Sequence, residues 1–113
     1  MIKIILKRMT AEQLEAFRGK PFSDMVKFVV DVEKEIAAFG GELHADAEEK
    51  LLEHGCKQKD LWGGNYYFDK SGDEVFKYTS LINIRPSAKN NAMEVQDEKI
   101  RAKMRSVLGK LLP

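Results

Sequence analysis

The sequence lacks the features that mark secreted, membrane-spanning or nucleic-acid-coating proteins. Cys56 is the single cysteine in 113 residues, so no intramolecular disulfide can form, and we expect a reducing, cytoplasmic location. No apolar run approaches the ~20 residues that span a bilayer, and the aliphatic run at 4–6 is too short for a secretory signal. The formal net charge is only +1, whereas a nucleic-acid coat or a polybasic membrane binder needs a strong positive field.

Common enzyme motifs are missing as well. GxxxxGK[ST], GxGxxG, HExxH and GxSxG do not occur, so nucleotide-dependent enzymes, zinc proteases and serine hydrolases are unsupported. What is present is an ordinary globular composition, with 43% hydrophobic and 33% charged residues. The length suits one domain over residues 1–113.

The near-neutral total hides unequal segments. Residues 1–30 hold six Lys and Arg against three Asp and Glu, and residues 85–113 hold seven against three. Residues 31–54 hold two against eight, a formal charge of −6, and residues 55–84 are balanced. We expect the two basic ends to fold over the acidic centre and to neutralise it.

Apolar spacing predicts alternating strands and helices. Capping-box spacings at Thr10–Gln13 and Asp46–Glu49 predict two helix starts, and a third helix begins near Asp97, where apolar residues at 3–4 residue spacings from Ile100 to Leu112 form one stripe. The predicted strands are 2–6, 26–33, 36–43, 61–68 and 75–85. The second strand has Val26, Phe28, Val30 and Val32 on one face. The order βαββαββα predicts an α+β fold with three helices and a mostly antiparallel sheet of about five strands. Its first six elements match the ferredoxin-like order, so a variant of that fold is one arrangement open to the chain.

The segment GGELHAD at 40–46 concentrates the most reactive side chains. Glu42, His44 and Asp46 occupy alternate positions, so an extended backbone would present all three on one face. One imidazole and two carboxylates can hold a transition metal, or act as a base with orienting partners. The structural alternative is that Asp46 caps the following helix and His44 bridges backbone groups at the strand end.

Trp62, Asn65, Asn83 and Arg85 are the candidate ligand-binding residues on the last two predicted strands. Two glycines follow Trp62 and can open a slot for a ligand, although a lone tryptophan is more often a core anchor. Arg85, next to Pro86, suits a carboxylate or phosphate. The alternative for Arg85 is a salt bridge to the acidic centre of the same chain.

Two further groups have competing interpretations. Cys56, close to His54 in sequence, is either an activated thiolate or a small residue in a turn between a helix and a strand. Asp31 and Glu33 lie opposite the apolar face of their strand, where they either bind a divalent cation or simply face solvent.

Aromatic residues raise the question of nucleic-acid binding. Tyr66, Tyr67 and Tyr78 are available to stack on bases. Adjacent residues of a strand point to opposite faces, however, and no RNP-like run of basic and aromatic residues is present. Nucleic acid is therefore a disfavoured partner.

Three longer strings resemble an uncharacterised family of small bacterial proteins, a domain of unknown function. They are VVDVEKEIAAFGGELHADAEEKLLEHG at 29–55, DLWGGNYY at 60–67 and INIRPS at 82–87. The family pattern has glycine where this chain has Glu35 and Lys89. The first difference implies strain in a turn that needs positive φ, and the second argues against the RPSAKNN loop wrapping a phosphate. The resemblance implies no activity, substrate or cofactor.

Three functions remain open from the sequence. The first is a binding or interaction module without enzymatic activity, whose partner is another protein or a second copy. The second is a metal-assisted or acid–base hydrolase, such as a nuclease, that uses Glu42, His44 and Asp46. The third is a single-stranded RNA binder or a toxin–antitoxin component. No membrane partner and no cofactor are indicated.

Overall fold

A five-stranded antiparallel sheet forms the middle layer of the fold. The computed structural model describes residues 1–113, and the strand order is β1-β3-β2-β4-β5. The strands are β1 (Ile2–Ile5), β2 (Met25–Asp31), β3 (Ile36–Gly40), β4 (Leu61–Tyr67) and β5 (Phe76–Lys77). The predicted α+β fold, with five strands and three helices, is confirmed.

Helices cover both faces of the sheet. The helices are α1 (Ala11–Glu15), α2 (His44–Glu53) and α3 (Glu98–Leu111). Thr10 and Gln13 form the predicted capping box of α1, and the Asp97 side chain caps α3 by accepting a hydrogen bond from the Lys99 amide. None of these helices is long and apolar enough to cross a membrane.

The strand order is a variant of the ferredoxin-like one. As in that fold, β1 and β2 are joined through a helix and flank β3, which is antiparallel to both. The difference lies in β4, which pairs with β2 instead of β1. As a consequence β1 is left as an edge strand.

Alternate residues of the strands divide between two cores. The predicted stripe Val26, Phe28 and Val30 faces α1 and α3, where the Phe28 ring lies 5.7 Å from the Phe39 ring. Val29, on the other side of the same strand, packs with residues of α2. The apolar stripe of α3 is buried as its spacing predicts.

The predicted strand 75–85 is wrong beyond Lys77. The chain instead forms two isolated bridges, Thr79 with Glu94 and Arg85 with Asn90, and two 3-10 turns, 81–83 and 86–88. The reason is that the Asn83 side chain occupies the edge of β4 where a neighbouring strand would pair. The Asn83 amide accepts a hydrogen bond from the Gly63 N–H (2.8 Å) and donates to the Gly63 carbonyl oxygen (2.9 Å).

Two turn positions have left-handed backbone, and one of them, Glu35, is where the resemblance predicts strain. Glu35 has φ 57° and Lys89 has φ 58°, and they are the non-glycine residues with positive φ. L-residues reach this region at a cost that glycine avoids.

The expected neutralisation of the acidic centre by the basic ends is not observed. Lys110–Glu35 is the one ion pair that joins the two regions. The other pairs are Arg18–Glu15, Arg18–Asp69, Lys59–Asp60, Arg101–Glu98 and Arg105–Asp73. The sheet explains this difference, because it separates the acidic helix α2 from the basic helix α3.

Candidate binding pocket

The GGELHAD segment does not adopt the extended geometry that a metal site would need. α2 begins at His44, three residues before the predicted start, because positive φ angles at Gly40 and Gly41 end β3 early. Asp46 therefore lies inside the first turn and caps nothing. Glu42 and Asp46 are exposed whereas His44 is buried. No three His, Cys, Asp or Glu side chains lie together as a metal-binding group.

His44 is held in one tautomer against β4. Its side chain is buried, and Nε2 lies 2.7 Å from the Gly64 carbonyl oxygen. A carbonyl can only accept, so Nε2 carries the hydrogen and Nδ1 keeps its lone pair. Burial lowers the pKa of His44 and the nearby Lys27 charge adds to this effect, whereas the hydrogen bond to the Gly64 carbonyl oxygen and the Asn65 side chain partly oppose it. The imidazole is consequently neutral at neutral pH and presents Nδ1 as an acceptor.

The two glycines of DLWGGNYY make room for this histidine. A Cβ on Gly63 would lie 2.8 Å from the Ser80 Cβ and 3.2 Å from His44 Cδ2. On the opposite face, a Cβ on Gly64 would lie 2.6 Å from the Phe28 ring. The glycines thus admit His44 on one side of β4 and Phe28 on the other, which sequence reasoning missed.

Asn65 places an unpaired acceptor beside the histidine. Its side chain is only 9% exposed and its Oδ1 has no hydrogen-bond partner. Its Nδ2 has one distant partner, the Thr79 carbonyl oxygen at 3.5 Å. A buried acceptor without a donor costs free energy, so this position favours a ligand that brings an N–H or O–H group.

A pocket of about 320 Å³ joins these groups between α2, β4 and the segment 79–93. Three exposed apolar side chains surround its opening, namely Leu43 (59%), Leu81 (70%) and Met93 (42%). No side chain caps the first turn of α2, which also lines the pocket. The lining is Lys27, Leu43, His44, Ala45, Asn65, Thr79, Ser80, Leu81, Ile82 and Met93.

Trp62, Asn83 and Arg85 lie outside the pocket. Trp62 is a core residue, 3% exposed, and the Arg85 guanidinium lies 4.2 Å from the centre of its ring. Arg85 also donates to the carbonyl oxygens of Gln58 (2.8 Å), Ile82 (3.2 Å) and Leu61. Asn83 is fully buried in its bonds to Gly63. Asn83 and Arg85 cover the edge of β4, and Asn65 is the one of the four ligand candidates that lines the same pocket as His44.

The three tyrosines do not share a face. Tyr66 packs against Phe68 and Phe76 at ring distances of 5.5 and 5.9 Å, and Tyr78 lies 6.1 Å from Phe76. This aromatic group packs on the core beneath α1 and α3. Tyr67 points to the opposite face of β4, next to Lys77. A single stacking surface is therefore not formed.

Asp31 and Cys56 have structural surroundings. Asp31 is fully buried, and its Oδ1 accepts hydrogen bonds from the amides of Glu33 (2.9 Å) and Lys34 (2.8 Å), so the solvent-facing interpretation is wrong for Asp31. An aspartate that opens a turn is the local signal for this role. Glu33 is exposed, as the solvent-facing interpretation predicts. Burial, followed by the Asp31 carboxylate, raises the pKa of the Cys56 thiol to about 11. The thiol is therefore protonated at neutral pH, which favours the packing interpretation.

Together, fold and pocket define an α+β domain with a neutral histidine and an unpaired asparagine oxygen in one cavity. The chain belongs to the family described as protein of unknown function (DUF5674), which it matches over residues 3–111. The predicted resemblance is confirmed. No curated protein and no solved structure matches the chain. The three strings that carry the resemblance meet at β4, since His44 contacts it from GGELHAD and Asn83 contacts it from INIRPS.

Proposed function

We propose that this protein is a non-enzymatic binding module for a small 2-amino or 2-hydroxy acid with an apolar side chain. The observation that carries the proposal is the buried, unpaired Asn65 Oδ1 beside the neutral His44 imidazole. Two neighbouring acceptors in one pocket call for a ligand that donates. An ammonium or hydroxyl group on the ligand would supply the missing hydrogen bonds.

Lys27 supports a negative group on the same ligand. Its side chain lines the pocket from β2, in register with Asn65 on β4. The first turn of α2, which lacks a side-chain cap, adds backbone amides and the positive end of a helix dipole. A carboxylate next to the donor would be stabilised by both.

The apolar rim supports the rest of the ligand. Leu43, Leu81 and Met93 expose apolar surface at the opening, and burying such surface is worth ~25 cal/mol per Å². A volume of about 320 Å³ lies at the small end of ligand sites. A branched aliphatic side chain of four or five carbons would meet this rim while the polar end reaches His44.

A panel of four related compounds tests each contact by titration calorimetry. Leucine and 2-hydroxy-4-methylpentanoate carry the carboxylate, a donor and the apolar group. 4-Methylpentanoate lacks the donor, and isopentylamine lacks the carboxylate. We expect at least one of the first two to bind tighter than the last two by about tenfold or more. Equal or absent binding of all four would refute the proposal.

Variants identify the pocket as the site. His44→Gln keeps a donor for the Gly64 carbonyl oxygen and removes the Nδ1 acceptor, so the preference for donor-bearing compounds should fall. Lys27→Met should weaken the binding of the three compounds that carry a carboxylate and should not weaken the binding of isopentylamine. The matched control is Lys57→Met, because Lys57 is exposed and lies outside the pocket. Equal effects of the two lysine variants would argue against the assignment.

A second candidate is acid–base hydrolysis without a metal. It is favoured by one observation, the fixed tautomer of His44, which leaves Nδ1 as a neutral base. Hydrolysis of bis-p-nitrophenyl phosphate or p-nitrophenyl acetate above the buffer rate, lost in His44→Gln and kept in His54→Gln, would support it. Rates equal to buffer in all three proteins would exclude these two reactions.

A further inference from the structure

We propose that the free edge of β1 binds an extended acidic segment of another protein as an additional strand. This site is separate from the pocket at α2, so neither proposal depends on the other. The inference rests on the strand order, on a groove beside β1, and on the sign of the charges that line it.

The two edges of the sheet differ in how they are covered. Along β4, where β5 ends, the Asn83 amide pairs with both backbone groups of Gly63, and Arg85 donates to the Leu61 carbonyl oxygen. β1 pairs with β3 alone, and no strand lies on its other side. Unpaired amides and carbonyls of an edge strand are a template for an incoming strand.

A groove of about 270 Å³ runs beside this edge, between β1 and α1. Its floor includes the buried side chains of Met9 and Phe17, and Leu6 is 60% exposed at its margin. An added strand would place every second side chain over this groove. The alternate side chains of the partner would lie on the opposite face of the sheet beside Ile2 and Ile4, which pack on the core under α2 and favour apolar residues there.

The charges of the groove select the partner side chains that lie over it. Its charged lining residues are Lys3, Lys7 and Arg8, and no carboxylate is among the lining residues. Arg8 is anchored by a hydrogen bond to the Leu112 carbonyl oxygen (2.8 Å). Pairing of β1 with β1 of a second copy would bring lysines of both copies together, which is unfavourable. The occupant is consequently an acidic segment with alternating apolar residues.

Fluorescence anisotropy with labelled nine-residue peptides tests this site on the full chain. We expect an alternating Val-Glu peptide to bind, and an alternating Val-Lys peptide to bind at least tenfold more weakly. The Lys3→Glu/Lys7→Glu variant should reverse this order. The matched control, Lys99→Glu/Lys103→Glu on exposed positions of α3, should keep the order of the unmodified protein.

Hydrogen exchange of the backbone amides shows where the peptide binds. Saturating Val-Glu peptide should slow hydrogen exchange at amides of residues 2–6 and leave α2 unchanged. Binding that falls equally in both double variants, or that protects no amide of β1, would overturn the proposal. Dimerisation of the unmodified chain through protected β1 amides, seen by sedimentation, would also overturn it, because the edge would then take a second copy.

Discussion

Asn83 replaces a strand with a single side chain. It binds both backbone groups of Gly63, and its Nδ2 also donates to the Met93 carbonyl oxygen at 3.0 Å. Asparagine is suited to this position because its amide carries both a donor and an acceptor. The long segment after β5 therefore stays attached to β4 through one residue.

Replacing Asn83 with alanine should destabilise the fold strongly. The change leaves buried backbone groups of Gly63 without partners, and we expect a loss of about 3 kcal/mol in the free energy of unfolding. Urea denaturation measures this loss. Asn91→Ala, at an exposed neighbour, is the control and should change stability by less than about 0.5 kcal/mol. Similar losses in both variants would contradict the role of Asn83.

Substitutions at Lys89 and Glu35 should instead stabilise the fold. Lys89→Gly removes a side chain from a left-handed position, and we expect a gain of about 0.5–1 kcal/mol after the added flexibility of the unfolded chain is counted. Glu35→Gly should gain less, because it also loses an exposed ion pair with Lys110. Thermal unfolding of both variants provides the comparison, and a loss of stability in Lys89→Gly would show that its turn is not strained.

Single residues of the pocket were predictable only in part. Asn65 stands out in the sequence because it directly follows two glycines, and His44 because it lies in the polar segment after Gly41. Lys27 and Ser80 carry no such signal, since their place in the pocket depends on which strands become neighbours. The predicted metal-binding group is not formed. Its prediction assumed an extended backbone, whereas the two glycines before Glu42 end the strand.

At the scale of elements, the start of α2 is tied to the sheet by a neutral histidine. Its pKa in the folded protein lies below the ordinary value of 6.5. The unfolded chain therefore takes up a proton on His44 as the pH falls below about 6.5, while the folded chain does not. The free energy of unfolding must decrease as the pH falls through this range, by at most about 1.4 kcal/mol per pH unit.

His44→Gln should reduce this pH dependence. We expect the loss of stability between pH 7.5 and pH 5.5 to be smaller in the variant than in the unmodified protein, because glutamine does not titrate. Urea denaturation at a series of pH values gives the slope. His54→Gln, at an exposed position after α2, is the control and should keep the full slope. A slope unchanged by His44→Gln would show that folding does not lower the pKa of His44.

Some elements with strong local signals were predicted well from the sequence, although the capping box predicted at Asp46 is not formed. The capping box at Thr10 and the stripe of α3 depend on residues a few positions apart, and both are confirmed. The segment 75–85 has apolar residues typical of a strand, yet its pairing was decided by Asn83 and Gly63, which are distant in sequence. Periodicity contains no information about such contacts.

At the scale of the whole molecule, the topology decides which surfaces are open. The element order agreed with a ferredoxin-like variant, but local patterns do not show on which side β4 pairs. Its pairing with β2 leaves β1 free and creates the pocket beside Asn65. The same arrangement keeps α2 and α3 on opposite faces, which charge counting along the chain could not reveal.

The separation of α2 from α3 gives a nearly neutral molecule two oppositely charged poles. We expect the protein to be retained by both anion and cation exchangers at low salt near neutral pH, and to leave both as screening shortens the range of its charges. Glu49→Gln/Glu53→Gln, at exposed positions of α2, should abolish retention on the anion exchanger. Retention on the cation exchanger should persist. In an electric field, or at a charged surface, the molecule would then orient with one helix layer facing the opposite charge.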